Sequence, residues 1–145
     1  MLKVIFLFSF CSFLFADVFS VMGISSSGMM VQQQKLQAVA ENIANMNAFN
    51  PRDGSPYKRK YVVVRTMGES NKPYVSEVRE DDSSIQRIYD PSNPMSDRDG
   101  FVSMSGYSLA QEMTDMSVAR RMYEANAAIF SSAKQTAQTL MNIGR

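Results

Sequence analysis

The chain has 145 residues, 45% of them hydrophobic and 20% charged, with a formal net charge of +1. That length supports one modest core, and a near-neutral balance gives no reason to expect nucleic acid, whose recognition needs a clustered positive field. His is absent and Cys11 is the single Cys, which excludes the commonest general base, the commonest metal ligand, an intrachain disulfide and a Cys-based zinc site.

Residues 1–16 carry one cation, Lys3, followed by an apolar run from Val4 to Ala16. The run is too short for a bilayer, which takes ~20 residues, and matches the apolar core of a secretory signal peptide. A mis-assigned start accounts for it as well, and both explanations stand. Asp17 and Ser20 interrupt any longer membrane span.

From Val21 to Met46 the period is helical. Met22, Met29, Leu36 and Ile43 recur every seven residues, with Val39 and Met46 three places after Leu36 and Ile43. This is the spacing of a packing seam. Ser25, Ser26 and Ser27 favour caps and turns, and Gly28 weakens a helix, so the pattern predicts a helix firming up near Met29 and ending at Asn45.

The middle is β-rich. Asn50-Pro51, Asp53-Gly54 and Ser55-Pro56 signal turns, and strands are predicted over 57–67, 74–78 and 85–89, with a short one at Phe101-Val102. Glu80-Asp81-Asp82-Ser83-Ser84 reads as an acidic loop, and Asp90-Pro91-Ser92-Asn93-Pro94 as a rigid turn.

From Ser108, a plausible N-cap, helical spacing returns. Leu109, Met113, Met116, Tyr123, Ala127, Phe130, Ala137 and Met141 follow steps of three and four, and Arg120 and Lys134 occupy the same register. The run makes about 50 Å of helix. Gly144 ends it, and Arg145 suits its negative end.

Two such helices make a thin core, and their Met- and Ala-rich seams suit repacking and close approach. Met22, Met29, Leu36, Val39, Ile43 and Met46 with the register from Leu109 to Met141 therefore form the candidate assembly interface. The expected fold is α+β: long N- and C-terminal helices packed as a coiled-coil-like pair, with a small antiparallel insertion between them. Residues 17–47 and 106–145 make the helical domain, 48–105 the insertion and 1–16 the extension.

No catalytic, cofactor or metal site is expected. A calcium loop with Gly100 sixth would place Met95 first and Gly106 twelfth, which supply no ligand oxygens. The serines lack a His partner, and Glu80-Asp81-Asp82 reads as a solvated run. Lys58-Arg59-Lys60 between Tyr57 and Tyr61 reads as a guard on a strand edge or a contact with an acidic neighbour.

Particular residues then match a family. Ser27-Gly28-Met29, Gln34, Leu36, Ala40 and Asn42-Ile43-Ala44-Asn45 resemble the signature of the flagellar axial proteins, which include rod and hook subunits. Gly54-Ser55-Pro56-Tyr57-Lys58-Arg59-Lys60 is similar to a stretch of the proximal-rod members. So are Tyr89-Asp90-Pro91-Ser92-Asn93-Pro94 and Asp99-Gly100-Phe101-Val102, and so are Glu112-Met113, Met116, Ala119-Arg120 and Tyr123-Glu124-Ala125-Asn126. The likeness covers about residues 17–145. It implies a structural subunit of the proximal rod of the bacterial flagellar basal body. It also implies helical assembly with copies of itself and other rod subunits into the shaft that crosses the periplasm, and delivery by the flagellar type III export apparatus. No nucleic acid or small-molecule substrate is implied. The family's chains begin near Asp17, so residues 1–16 depart from the pattern and leave the export route open. An exported adaptor holding a non-self partner on its helices is the alternative.

Overall fold

The structure, a computed structural model, describes the backbone of residues 2–52 and 54–143, with side chains placed over residues 17–142 apart from 53 and 69. The fold is α+β. Helix α1 (Leu2–Asn45) is followed by strands β1 (Arg59–Met67), β2 (Lys72–Asp81), β3 (Ile85–Tyr89) and β4 (Phe101–Ser105), then by helix α2 (Leu109–Ile143). The strands form two separate two-stranded ribbons, β1–β2 and β3–β4. Among the described residues no helix is long and apolar enough to cross a membrane.

Helix α1 starts far earlier than Met29, the predicted position. Ser25 and Ser27 do not break it, because their hydroxyls donate to the carbonyls of Val21 (2.9 Å) and Gly23 (2.8 Å) one turn back. Gly28 is retained inside the helix by packing: a Cβ there would lie 2.9 Å from the Asn126 amide. Asp53, Gly144 and Arg145, which entered the turn and helix-end expectations, lie outside the described residues.

Strands β2 and β4 outrun their predicted limits, β3 keeps them, and β1 starts two residues later than Tyr57, the predicted start. β2 extends through Glu80 and Asp81, where a loop was expected, and a short 3-10 turn over Asp82–Ser84 leads into β3. Asp81 accepts from the Ser83 backbone N–H at 3.0 Å and caps that turn. The β3–β4 pair is antiparallel, running from Ile85 opposite Ser105 to Tyr89 opposite Phe101. Its tight end is closed by the proline turn: the Asp90 N–H donates to the Gly100 carbonyl at 2.9 Å. Gly100 sits at φ +81°, and a Cβ would lie 2.9 Å from the Tyr89 ring. Glycine is therefore required here both by backbone conformation and by space.

The chain divides into two compact units. One comprises Gln34–Val63 and Val75–Ala119, here the junction unit; the other comprises Met1–Gln33, Val64–Tyr74 and Arg120–Arg145, here the helical unit. In the junction unit Ala38, Val39, Val102 and Ala119 are buried. In the helical unit the buried apolar residues are Val31 and Ala137, with Ser25 and Gly28 buried beside them. The helix surfaces that face inward are thus small and partly polar.

Candidate functional site

Asn42 and Glu112 are the centre of the junction unit, and both are fully buried. Asn42, on the last turns of α1, uses its whole amide. Its Oδ1 accepts from the Lys60 backbone N–H (2.8 Å) and the Tyr57 hydroxyl (3.3 Å), while its Nδ2 donates to the Lys60 carbonyl (2.9 Å) and to Glu112 Oε2 (3.0 Å). The Asn42 carbonyl accepts from the Tyr107 hydroxyl at 2.9 Å. One side chain thereby imitates a neighbouring strand for Lys60 and ties α1 to α2.

Glu112 completes the arrangement from the first turn of α2. Its Oε1 accepts from Arg59 Nε at 2.5 Å, and Arg59 reaches Asp115 at 3.0 Å with Nη2. The Arg59 N–H donates to Ser84 Oγ, which donates to the Asp81 carbonyl; Ser105 Oγ donates to the Tyr57 carbonyl. No buried side-chain polar atom among the described residues lacks a partner. A buried charge removed from water is tolerable only under these conditions. Burial pushes the Tyr57 and Tyr107 hydroxyls above their ordinary range. Lys60 bonds Glu41 at 3.1 Å, which lowers the Glu41 carboxyl and raises the Lys60 ammonium.

Lys58-Arg59-Lys60 is accordingly an internal clamp. Lys58 pairs with Asp82, Arg59 with Glu112 and Asp115, and Lys60 with Glu41. Asp97, the acidic residue of the calcium-like run, is engaged by its own turn, accepting from the backbone N–H groups of Asp99 and Phe101. Those bonds, led by the one from Phe101, hold its carboxyl below the usual range, and Arg87 adds to them.

The sixteen interface residues named from the sequence do not share one fate. On α1, Val39 is buried, and Met22, Met29, Leu36, Ile43 and Met46 are half-buried. On α2, Ala137 is buried and Met116, Ala127 and Phe130 are half-buried. Leu109, Met113, Arg120, Tyr123, Lys134 and Met141 are exposed. The row that turns inward lies one residue earlier: Glu112, Ala119, Asn126, Ala133 and Leu140. Arg120 and Lys134 therefore belong to the outer surface of α2, where a charged group stays hydrated, and not to the seam within the subunit.

The motif residues also separate. Asn42, Tyr57 and Glu112 meet in the junction. Asp90, Pro91, Asn93, Pro94 and Gly100 build the β3–β4 turn, and Asn126 packs on Gly28. Pro56 is buried and bridges Phe49. Ile43, Ala44, Asn45, Met113 and Tyr123 lie outside these groups; Asn45 donates to the Glu41 carbonyl one turn back. Arg59, Ser84 and Tyr107 complete the junction although the sequence singled out only the first, and for another role. Both Glu112 oxygens and the whole Asn42 amide are occupied, so the arrangement can hold elements together but offers no free acid, base or nucleophile.

This geometry describes a protein whose buried polar groups fix its own elements and whose apolar helix surface stays open. Such a molecule is built to be a component of something larger. The comparisons agree. Residues 22–51 match the family described as flagella basal body rod protein, and residues 98–143 match the flagellar basal body rod FlgEFG protein C-terminal family. The chain is 38% identical to the flagellar basal-body rod protein FlgC of Aquifex aeolicus, over 82% of this chain and 91% of that one. It is 28% identical to the FlgC of Bacillus subtilis, over 88% and 98%, and 27% identical to that of Salmonella typhimurium, over 87% and 97%. The class is that of flagellar rod proteins, structural subunits of the basal body that assemble with other rod components. Within that class, the chain belongs to the FlgC family.

Proposed function

We propose that this chain is a proximal-rod subunit that stacks helically through its terminal helices to complete the wall of the periplasm-spanning shaft. It carries out no reaction, and it reaches its place through the flagellar type III export apparatus. In this reading residues 17–47 and 106–145 form the axial helical part, 48–105 the insertion and 1–16 an extension. The observation that carries it is the open register on α2: Leu109, Met113, Tyr123 and Met141 are 38–59% exposed, while Met116, Phe130 and Ala137 in the same register turn inward. A helix apolar over so wide an arc needs more cover than one partner helix supplies.

Met113→Asp and Met141→Asp test it, since both side chains are exposed and their loss spares the fold. Isolated basal bodies should lack this subunit and all rod beyond it, with the soluble protein still expressed. Complete rods containing either variant would refute the reading. An unaltered rod in a strain without the gene would favour an adaptor role instead.

A further inference from the structure

Sulfur in the helical unit stands where that unit is least covered. The chain has 12 Met against one Cys, with no Trp and no His, so beyond Cys11 the thioethers are the groups that take oxygen from a peroxide. In the helical unit Met30 is 66% exposed, Met67 58%, Met141 55% and Met122 49%, while Met22 and Met29 are half-buried. Phe19, Val21, Val64 and Ile129 are also exposed there, but they offer nothing that a peroxide oxidises. Among the described residues no methionine is fully buried: Val31, Ala38, Val39, Val102, Ala119 and Ala137 fill that place. The Asn42–Glu112–Arg59 network contains no sulfur either. Oxygen added to the exposed thioethers therefore changes the surface and leaves the buried groups as they are.

We propose that Met30, Met67, Met122 and Met141 are sites of reversible sulfoxidation by hydrogen peroxide, and that the sulfoxide form of the free subunit is kept out of the rod. The inference rests on the rod-subunit reading and adds a chemical control to it. The thioether sulfur attacks one peroxide oxygen with its lone pair. The S–O bond forms, the O–O bond breaks, and the departing hydroxide takes the remaining proton and leaves as water. Sulfur loses two electrons and the peroxide gains them. The product is a polar, chiral side chain in place of a flexible apolar one, and methionine sulfoxide reductases reverse the change. A surface that must be buried on assembly then resists burial, by about tenfold in affinity for each methionine that has to leave water. Neighbouring subunits that cover these side chains also shield them, so the modification acts before incorporation and not after it.

Two measurements test it. Peptide mass spectrometry of the purified full chain in hydrogen peroxide should show the four sites oxidising about tenfold faster than Met22 and Met29, and about tenfold slower again in isolated basal bodies. Equal rates at exposed and half-buried sites, or equal rates free and assembled, would overturn the proposal. The second measurement counts newly incorporated subunits in basal bodies from cells given a peroxide pulse. Incorporation of the parent chain should fall about tenfold, whereas Met30→Leu/Met67→Leu/Met122→Leu/Met141→Leu, apolar and without sulfur, should be incorporated as before. The matching Gln variant, polar like the sulfoxide, should be left out even without peroxide while keeping the parent's circular dichroism. Parent and Leu variant falling together, neither falling, or a folded Gln variant incorporated normally would each overturn the proposal. If the Gln variant loses its fold, the parent and Leu variant decide alone. All these outcomes leave the rod reading intact, since that reading is tested by Met113→Asp and Met141→Asp without any oxidant.

Discussion

The junction unit and the helical unit solve the same problem differently. Both contain parts of α1 and α2 with few large buried side chains. The junction unit compensates with a buried network in which Asn42, Glu112 and Arg59 satisfy one another across segments 53 to 70 residues apart in sequence. The helical unit has no ion pair among its described residues and leaves Met122, Ile129 and Met141 about half in water. The contrast teaches that both stretches keep apolar surface open, while only one of them is also tied together by buried polar bonds.

The largest effect should come from breaking the network. Glu112→Ala leaves Arg59 Nε and one Asn42 donor without a partner, with Asp115 still holding the other side of the guanidinium, and removing one partner of a buried pair costs about 3–5 kcal/mol at most. Asn42→Ala orphans the Lys60 backbone N–H and one Glu112 oxygen, at about 2–3 kcal/mol. Urea denaturation followed by circular dichroism measures both. Losses under about 1 kcal/mol would show that the junction is not what holds that unit.

Gly100→Ala comes next, at about 1–3 kcal/mol, since both a positive φ and the Tyr89 ring oppose it. In the helical unit Gly28→Ala should behave conditionally. With Asn126 present the new methyl collides with its amide and destabilises; with Asn126→Ala the same change should stabilise by up to about 1 kcal/mol, the ordinary helix preference for Ala over Gly. An unchanged sign in the double-mutant cycle would contradict the close approach described here.

The smallest effects lie at the surface. Asp82→Asn removes a pair in which Asp82 is 83% exposed, so the change should stay within about 0.5 kcal/mol. Asp97 adds a pH dependence. Its folded pKa is depressed, so its contribution is complete above the ordinary carboxylate range and fades as pH falls through the lower folded value. Nuclear magnetic resonance of the Phe101 amide during acid titration should show the bond persisting below pH ~3.9, the unfolded reference. Loss of the bond above that pH would contradict it.

Much of the fold was legible. Two helices and a β-rich middle follow from periodicity and turn chemistry, and the proline turn from Asp90 to Pro94 falls where its residues demand. The phase of α2 was not legible, because the inward row reads Glu112, Ala119, Asn126, Ala133, Leu140. A row holding a carboxylate and an amide carries no hydrophobic signal, so periodicity reports the apolar register beside it instead. The same cause hid the start of α1: serine and glycine argue for a break unless the chain that packs on them is known. At the junction, Asn42, Tyr57 and Glu112 were recognised by motif. Their mutual contact was not, because pairings across 15 to 70 residues leave no local trace. In sequence Arg59 is one of three equivalent cations, and only the folded chain sets it apart by placing the buried Glu112 carboxylate against it.

The contrast between the units is best tested by hydrogen exchange on the same protein free and in isolated basal bodies. In the free subunit, amides of the junction unit should be protected, while those of residues 18–33 and 120–142 should exchange quickly. In the assembled rod both sets should be slow. Equal, strong protection of both sets in the free monomer would contradict the account, since the helical unit would then need no neighbour to complete it.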